Sequence, residues 1–235
     1  MTTSGISSYQ LTRDEIITAS VRKLGAVARG QTLDTDDITT GAQALNTLLA
    51  SYRTIGMPLW ARKEYPFSPT LNTSSYTIGS GQTLDTPYPV HLLEAFRVDS
   101  GGLTKIPIDI KASVDFNQLP LTPGGPPLIL NYTPQINVGT LKLWPTPDSS
   151  ATTSTVTLIY QRPFEYFTVS TDTMDMPEEW YNPVIYGLAV LLAPEWGISL
   201  MDRRELKEEL KTYLDMAMQT GVEDGPFSFS PNRQR

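Results

Sequence analysis

Met176-Pro177-Glu178-Glu179-Trp180 opens a stretch that runs through the apolar residues 184–193 and closes at Pro194-Glu195-Trp196-Gly197. Its start carries helix signals: proline suits the first helical position, where no amide hydrogen is needed, and the glutamates complement the positive end of the helix dipole. Pro183 either kinks this helix or moves its start to Asn182. A helix that is apolar nearly all round must be buried between other helices. The preceding hundred or so residues lack helical spacing, so the partners are sought at the two ends of the chain.

Two amphipathic patterns stand at the N-terminal end. Thr12-Arg13-Asp14-Glu15 has the Thr-x-x-Glu spacing that satisfies the first free amides of a helix. Ile17, Val21, Leu24 and Ala28 then recur at helical intervals, with Gly30 as the expected stop. A second helix is expected from Asp34–Asp37 onward, with Ile38, Ala42, Leu45, Leu48, Leu49 and Tyr52 on one stripe and Gly56 and Pro58 ending it. The short link between them predicts an antiparallel hairpin. After the apolar helix, residues 199–221 place Leu206, Leu210, Tyr213, Leu214 and Ala217 on one face. Arg203, Arg204, Lys207, Glu208, Glu209 and Lys211 are left to meet solvent or neighbouring subunits. Residues 222–235 contain Phe227 and Phe229 but no helical pattern, and are read as an arm.

Between the helical ends the character changes. Most of the 19 prolines fall here, and short β-prone runs alternate with turn residues. Strands are expected at 75–78, 90–98, 104–110, 128–132, 140–144 and 155–160. Pro107 cannot donate a ladder hydrogen bond, so 104–110 is read as an edge or bulged strand. The expected fold is therefore α+β: a helical bundle from both chain ends with an inserted antiparallel β-sandwich or barrel-like domain. The expected divisions are a helical hairpin at 1–59, a β-rich insert at 60–173, C-terminal helices at 174–221 and the arm at 222–235.

Composition narrows the function. With no cysteine among 235 residues, disulfides, thiolate nucleophiles and cysteine-ligated zinc are excluded. The net charge of −7 argues against a broad basic face for nucleic acid. The charge is neutral over 1–59, −2 over 60–172 and −5 over 173–235. An acidic wall near DNA would repel phosphates and discourage sticking. No apolar run is long enough to span a bilayer, and residues 1–5 lack the features of a secretion signal; a soluble protein with no membrane partner is expected.

A search for chemistry finds little. The single histidine, His91, stands in the strand-like run Val90-His91-Leu92-Leu93 without a nucleophile motif around it. The carboxylate pairs Asp36/Asp37, Glu178/Glu179 and Glu208/Glu209 sit at helix starts or on a charged face, where dipole complementarity and solvation account for them. Gly101-Gly102 and Pro123-Gly124-Gly125-Pro126-Pro127 lack the spacing of a phosphate loop. Trp144 and Tyr160 are either core aromatics or a sugar-binding platform. No catalytic residue, cofactor or metal is expected.

The order of features resembles the head-to-tail adaptor family of short-tailed bacteriophages, the head-completion or packaged-DNA-stabilisation proteins, over about residues 9–221. The N-terminal match is Leu45-Asn46-Thr47-Leu48-Leu49-Ala50-Ser51-Tyr52-Arg53-Thr54-Ile55-Gly56, then Leu59-Trp60-Ala61-Arg62 and Tyr76-Thr77-Ile78-Gly79. The middle is similar at Gly125-Pro126-Pro127, Gly139-Thr140-Leu141-Lys142-Leu143-Trp144-Pro145 and Tyr160-Gln161-Arg162-Pro163, and the third part is the 176–197 stretch. The Ser/Thr-rich segment 69–75 and Pro183 depart from the family's pattern.

The resemblance implies a homo-oligomeric connector, usually a dodecameric ring, that docks beneath the portal protein after packaging. Such a ring extends the channel for double-stranded DNA without reading its sequence, and it receives the tail nozzle protein. It implies a place at the head-to-tail junction of the virion, reached by assembly in the host cytoplasm. By this reading the arm docks on the portal through Phe227, Phe229, Arg233 and Arg235. Arg203, Arg204, Lys207, Glu208 and Lys211 lie on the ring wall. Two other classes stay open: a virion-associated cell-wall or polysaccharide hydrolase using acids such as Asp109, Asp115 or Glu165, and a carbohydrate-binding β module.

Overall fold

A computed structural model describes residues 9–27, 30–53, 61–102, 104–120 and 124–220. The protein is α+β. Among the described residues the helices are α1 (Arg13–Lys23), α2 (Thr35–Tyr52), the short α3 (Ser113–Phe116), α4 (Tyr181–Leu192) and α5 (Leu200–Thr220). The strands are β1 (Arg62–Phe67), β2 (Ser75–Gly79), β3 (Leu84–Asp85), β4 (His91–Val98), β5 (Lys105–Pro107), β6 (Asp109–Ile110), β7 (Ile129–Pro134), β8 (Gly139–Trp144) and β9 (Thr155–Gln161). The chain divides into two compact units, Met1–Trp60 with Phe164–Arg235, and Ala61–Pro163. No helix among the described residues is long and apolar enough to cross a membrane.

In the helical unit α4 is the hub, because it touches α1, α2 and α5. Its Val184, Leu188 and Ala189 have no exposed surface, as its composition requires. Of the two expectations for Pro183, the later start holds to within one residue, because the α-helix begins at Tyr181 rather than near Pro177. Pro183 lies in the first turn of α4, where its missing amide hydrogen has no intrahelical acceptor to lose. A 3-10 turn over Glu178–Trp180 leads into α4. On α1, the Thr12 amide and hydroxyl both donate to the Glu15 carboxylate, at 2.9 and 2.8 Å. The helix stops earlier than expected, because Gly25, five residues before Gly30, already takes the left-handed conformation (φ +68°) that turns the chain away. The expected inward residue Ala28 and the expected α2 terminators Gly56 and Pro58 lie outside the described residues.

The α2–α4 contact is close because Gly187 has no side chain. A Cβ there would stand 2.6 Å from the Tyr52 hydroxyl and 3.0 Å from Leu48. That hydroxyl donates to the Pro183 carbonyl at 2.8 Å, so one glycine makes room for both the approach and the hydrogen bond. Along α5 the expected face turns inward only partly. Ala217 is buried, while Leu206, Leu210, Tyr213 and Leu214 are half-buried, because α5 lies mainly against α4 and the 3-10 turn.

In the β unit, one sheet has the order β1-β9-β4-β5 and is antiparallel throughout. The other has the order β3-β2-β8-β7-β6 and is mixed: β3 runs parallel to β2, and β6 parallel to β7. One apolar cluster draws on both sheets, with Tyr76, Ile78, Leu130, Leu141 and Leu143 from the mixed sheet and Ala95, Val156, Leu158 and Tyr160 from the other. The segment expected as a single strand at 104–110 is divided between them. The Ile108 amide donates to Ala95 in β4, and the next amide, that of Asp109, donates to Leu128 beside β7. β5 and β6 are both edge strands, as Pro107 demands.

Strand β1 was not expected from the sequence. Its Pro66 and its charges disguise an alternation in which Lys63, Tyr65 and Phe67 turn inward. Both features belong to an edge strand, which they protect from pairing with another chain. β1 pairs with β9 from Arg62↔Gln161 to Phe67↔Val156, and the Arg162 amide donates to the Ala61 carbonyl at 2.9 Å. The chain therefore enters and leaves this unit at neighbouring positions.

Candidate functional site

Helix α5 carries the ring-wall residues named from the sequence. Arg204, Lys207, Glu208 and Lys211 are exposed, and among the described residues none of them makes an ion pair. Arg203 differs: it is half-buried and its Nε donates to the Ile198 carbonyl at 2.8 Å, closing the turn from α4. It therefore shapes the helix start rather than the exposed face. Ser199 and Asp202 form a reciprocal cap at the same end, with the Ser199 hydroxyl donating to the Asp202 carboxylate at 2.9 Å. The helix also exposes Leu200, Met201, Met216 and Met218. Phe227, Phe229, Arg233 and Arg235 lie outside the described residues.

The segment after the β unit belongs with the helices. Phe164, Phe167, Met174 and Met176 are buried there, so the division falls at Pro163 rather than at 173. Two residues of α2 and its cap hold this segment. Asn46 makes a two-way amide pair with Phe167, donating to its carbonyl at 3.0 Å and accepting from its amide at 3.1 Å. Arg53 donates to the Phe164 carbonyl at 2.8 Å and lies 4.3 Å from the centroid of the Tyr166 ring. Further on, the Arg13 amide donates to the Asp172 carbonyl, and Thr12 bridges to Thr173. The sequence offered one signal for these roles: a polar Asn46 beside Leu45 and Leu48 on an otherwise apolar flank.

The residues considered for chemistry do not converge. His91 is exposed at the start of β4, opposite Gln161. Tyr160 is fully buried, its hydroxyl 2.6 Å from that of Thr86, while Trp144 is half-buried and donates to the Pro120 carbonyl at 3.0 Å. The two aromatics therefore share no exposed platform. Asp109 and Asp115 are exposed in the β unit, and Glu165 is exposed in the helical unit. The structure does bring Asp109 together with Glu94, Lys105 and Phe96 in a groove of about 540 Å³ beside β4. Both carboxylates are exposed. Among the described residues no group of three or more His, Cys, Asp or Glu is arranged to hold a metal ion.

The carboxylates that are perturbed hold turns. Asp172 accepts from the Thr168 hydroxyl and from the Thr168 and Val169 amides, and the amide bonds lead in holding it below the ordinary carboxylate range. Asp148 is lowered in the same way, first by the Ser150 hydroxyl and then by the Ala151 amide. Glu15 is lowered by the Thr12 amide and hydroxyl at the α1 cap. Burial pushes Tyr132 up to about 12, and its hydroxyl donates to the Pro89 carbonyl. Each of these shifts arises from a bond or burial that fixes the fold. No protein-family model matches the chain, and neither does any curated protein.

Proposed function

We propose that this protein is a non-catalytic head-to-tail adaptor: a ring of identical copies between a phage portal and tail nozzle that extends the DNA channel and helps retain packaged DNA. In this reading the helical unit is a bundle built from both chain ends, and the β unit is an inserted sandwich left free for a second partner. The observation that carries the proposal is the joining of residues before Ala61 and after Pro163 into one helical unit. It is the chain order on which the resemblance rests. Exposed charges on α5 that make no ion pair among the described residues support a surface made for assembly rather than for turnover. The acidity of residues 173–235 suits a wall past which DNA slides.

The test is to mix the purified protein with the portal ring encoded by the same genome and measure mass by light scattering while imaging the particles. A stoichiometric ring on the portal is expected. A monomer that never joins the portal, at any ratio, would rule the adaptor out. Removing residues 222–235 is expected to leave the thermal transition unchanged and to weaken portal binding.

A further inference from the structure

Between the first turns of α2 and the turn that joins α4 to α5 lies a cavity of about 280 Å³, lined by Asp37, Thr40, Leu192, Glu195 and Trp196. All five residues belong to the helical unit. The Leu192 carbonyl accepts from the Glu195 and Trp196 amides, at 3.0 and 3.3 Å, which winds this turn back over the end of α4. Leu192 is buried, Asp37 and Trp196 are half-buried, and Thr40 and Glu195 are exposed. Neither carboxylate makes an ion pair among the described residues. An indole and a leucine are no ligands for a hard metal ion, which takes a shell of oxygens. They suit a guanidinium, which is weakly hydrated, bonds carboxylates and stacks on an aromatic ring.

The chain carries that cation itself. Beyond Lys211 its only basic residues are Arg233 and Arg235, and residues 221–235 follow α5 directly. In an extended chain, residues two apart point the same way, so this pair can offer two guanidiniums to two carboxylates. The reach is sufficient. From Leu200 to Thr220, α5 is about 30 Å long, while the 13 steps from Thr220 to Arg233 span up to about 43 Å when extended. Gly221 or Gly225-Pro226 can supply the turn, and the chain then returns the length of α5 to the cavity beside its start. Met216 and Met218, 57% and 40% exposed at the end of α5, are flexible thioethers suited to contact with the rings of Phe227 and Phe229.

We infer that this cavity seats Arg233 and Arg235 of the same chain, stowing the arm along α5 until the portal displaces it. The tether selects the occupant. An arm fixed to the end of α5 is held near the cavity at an effective concentration on the order of mM, far above that of a free second copy. The inference adds a control step to the adaptor reading, and rests on that reading only for what displaces the arm.

Because the chain has no cysteine, a single pair can be placed in it. Full-length Thr40→Cys/Gln234→Cys is oxidised mildly beside a control, Thr47→Cys/Gln234→Cys, whose α2 position is equally exposed and about two turns further on. The thermal transition of each variant is checked first. The Thr40 pair is expected to close an intramolecular disulfide at least about tenfold faster than the control, at a rate unchanged by dilution. Adding Arg233→Glu/Arg235→Glu should slow closure at least about tenfold, and adding Glu195→Lys to that variant should recover part of the loss. The oxidised form should bind the portal at least about tenfold more weakly than the reduced form.

Equal closure rates for the two pairs would overturn the inference and leave the adaptor proposal standing if the reduced chain still joins the portal. A rate that rises with concentration would overturn it by giving the cavity to a second copy. Closure that ignores the charge reversals would overturn it too, since chance collision needs no cation. So would an oxidised chain that binds the portal as tightly as the reduced one, because the arm would then hold nothing back. Closure as expected in a chain that ignores the portal in both forms would uphold the seat and end the adaptor proposal.

Discussion

Asn46 shows how much one amide can fix. Its two hydrogen bonds to Phe167 satisfy both backbone groups of a residue that is itself buried. Asn46→Leu keeps the size and removes both partners, so it should lower unfolding free energy by about 1–3 kcal/mol in urea titration, the cost of leaving buried backbone groups unpaired. The tyrosines predict a pH limit. Tyr132 titrates near 12 when folded and near 10 when free, so between those values the folded state holds the proton more tightly and stability falls as pH rises. Stability should be insensitive to this group below pH 10 and decline above it, and Tyr132→Phe should flatten that part of the curve. At the acid end the sign reverses. The lowered Asp148 and Asp172 contribute fully above the ordinary value of 3.8, and that contribution is lost as pH falls through their depressed folded values.

Among the elements, α4 and α5 separate burial from exposure. Gly187→Ala pushes a methyl into the Tyr52 hydroxyl and should destabilise the α2–α4 contact by about 1–3 kcal/mol. Leu188→Ala should cost about 2–5 kcal/mol because Leu188 is fully enclosed. Leu210→Ala should cost clearly less, since Leu210 is half-buried; denaturant titration of the two variants side by side checks the ordering. Apolar periodicity made α1 and α2 legible, because a helix with one buried stripe repeats its demand every turn, whereas α4 showed itself through its start signals and an apolar run too continuous for a single stripe. The same signal overstated α5, where a stripe of correct spacing meets α4 along only part of its width. β1 was illegible for the opposite reason: an edge strand needs Pro66 and charge to stay unpaired, and those residues read as a loop. The parallel pairings of β3 and β6 depend on contacts of two residues each, too short to leave a pattern.

For the whole molecule, the sequence order already implied helices contributed by both ends, since an apolar helix at 181–192 needs neighbours that the middle of the chain cannot supply. The candidate surface was only half legible. The sequence assigned Arg203, Arg204, Lys207, Glu208 and Lys211 to one exposed surface of α5; four of them are exposed, while Arg203 turns back to the Ile198 carbonyl, a bond that no spacing reveals. The net charge of −7 gives a further expectation: in gel mobility shift at physiological salt the protein should not retain double-stranded DNA of any sequence. Retention that weakens with added salt would contradict the acidic-wall reading.

The paired β1 and β9, with Ala61 bonded to Arg162, make residues 61–163 a cassette attached by two adjoining ends. A replacement of different length or fold needs to match only the spacing of those ends to leave the helical core's connectivity undisturbed. On the adaptor reading proposed above, exchanging the cassette would change the surface offered to a tail without redesigning the helical core.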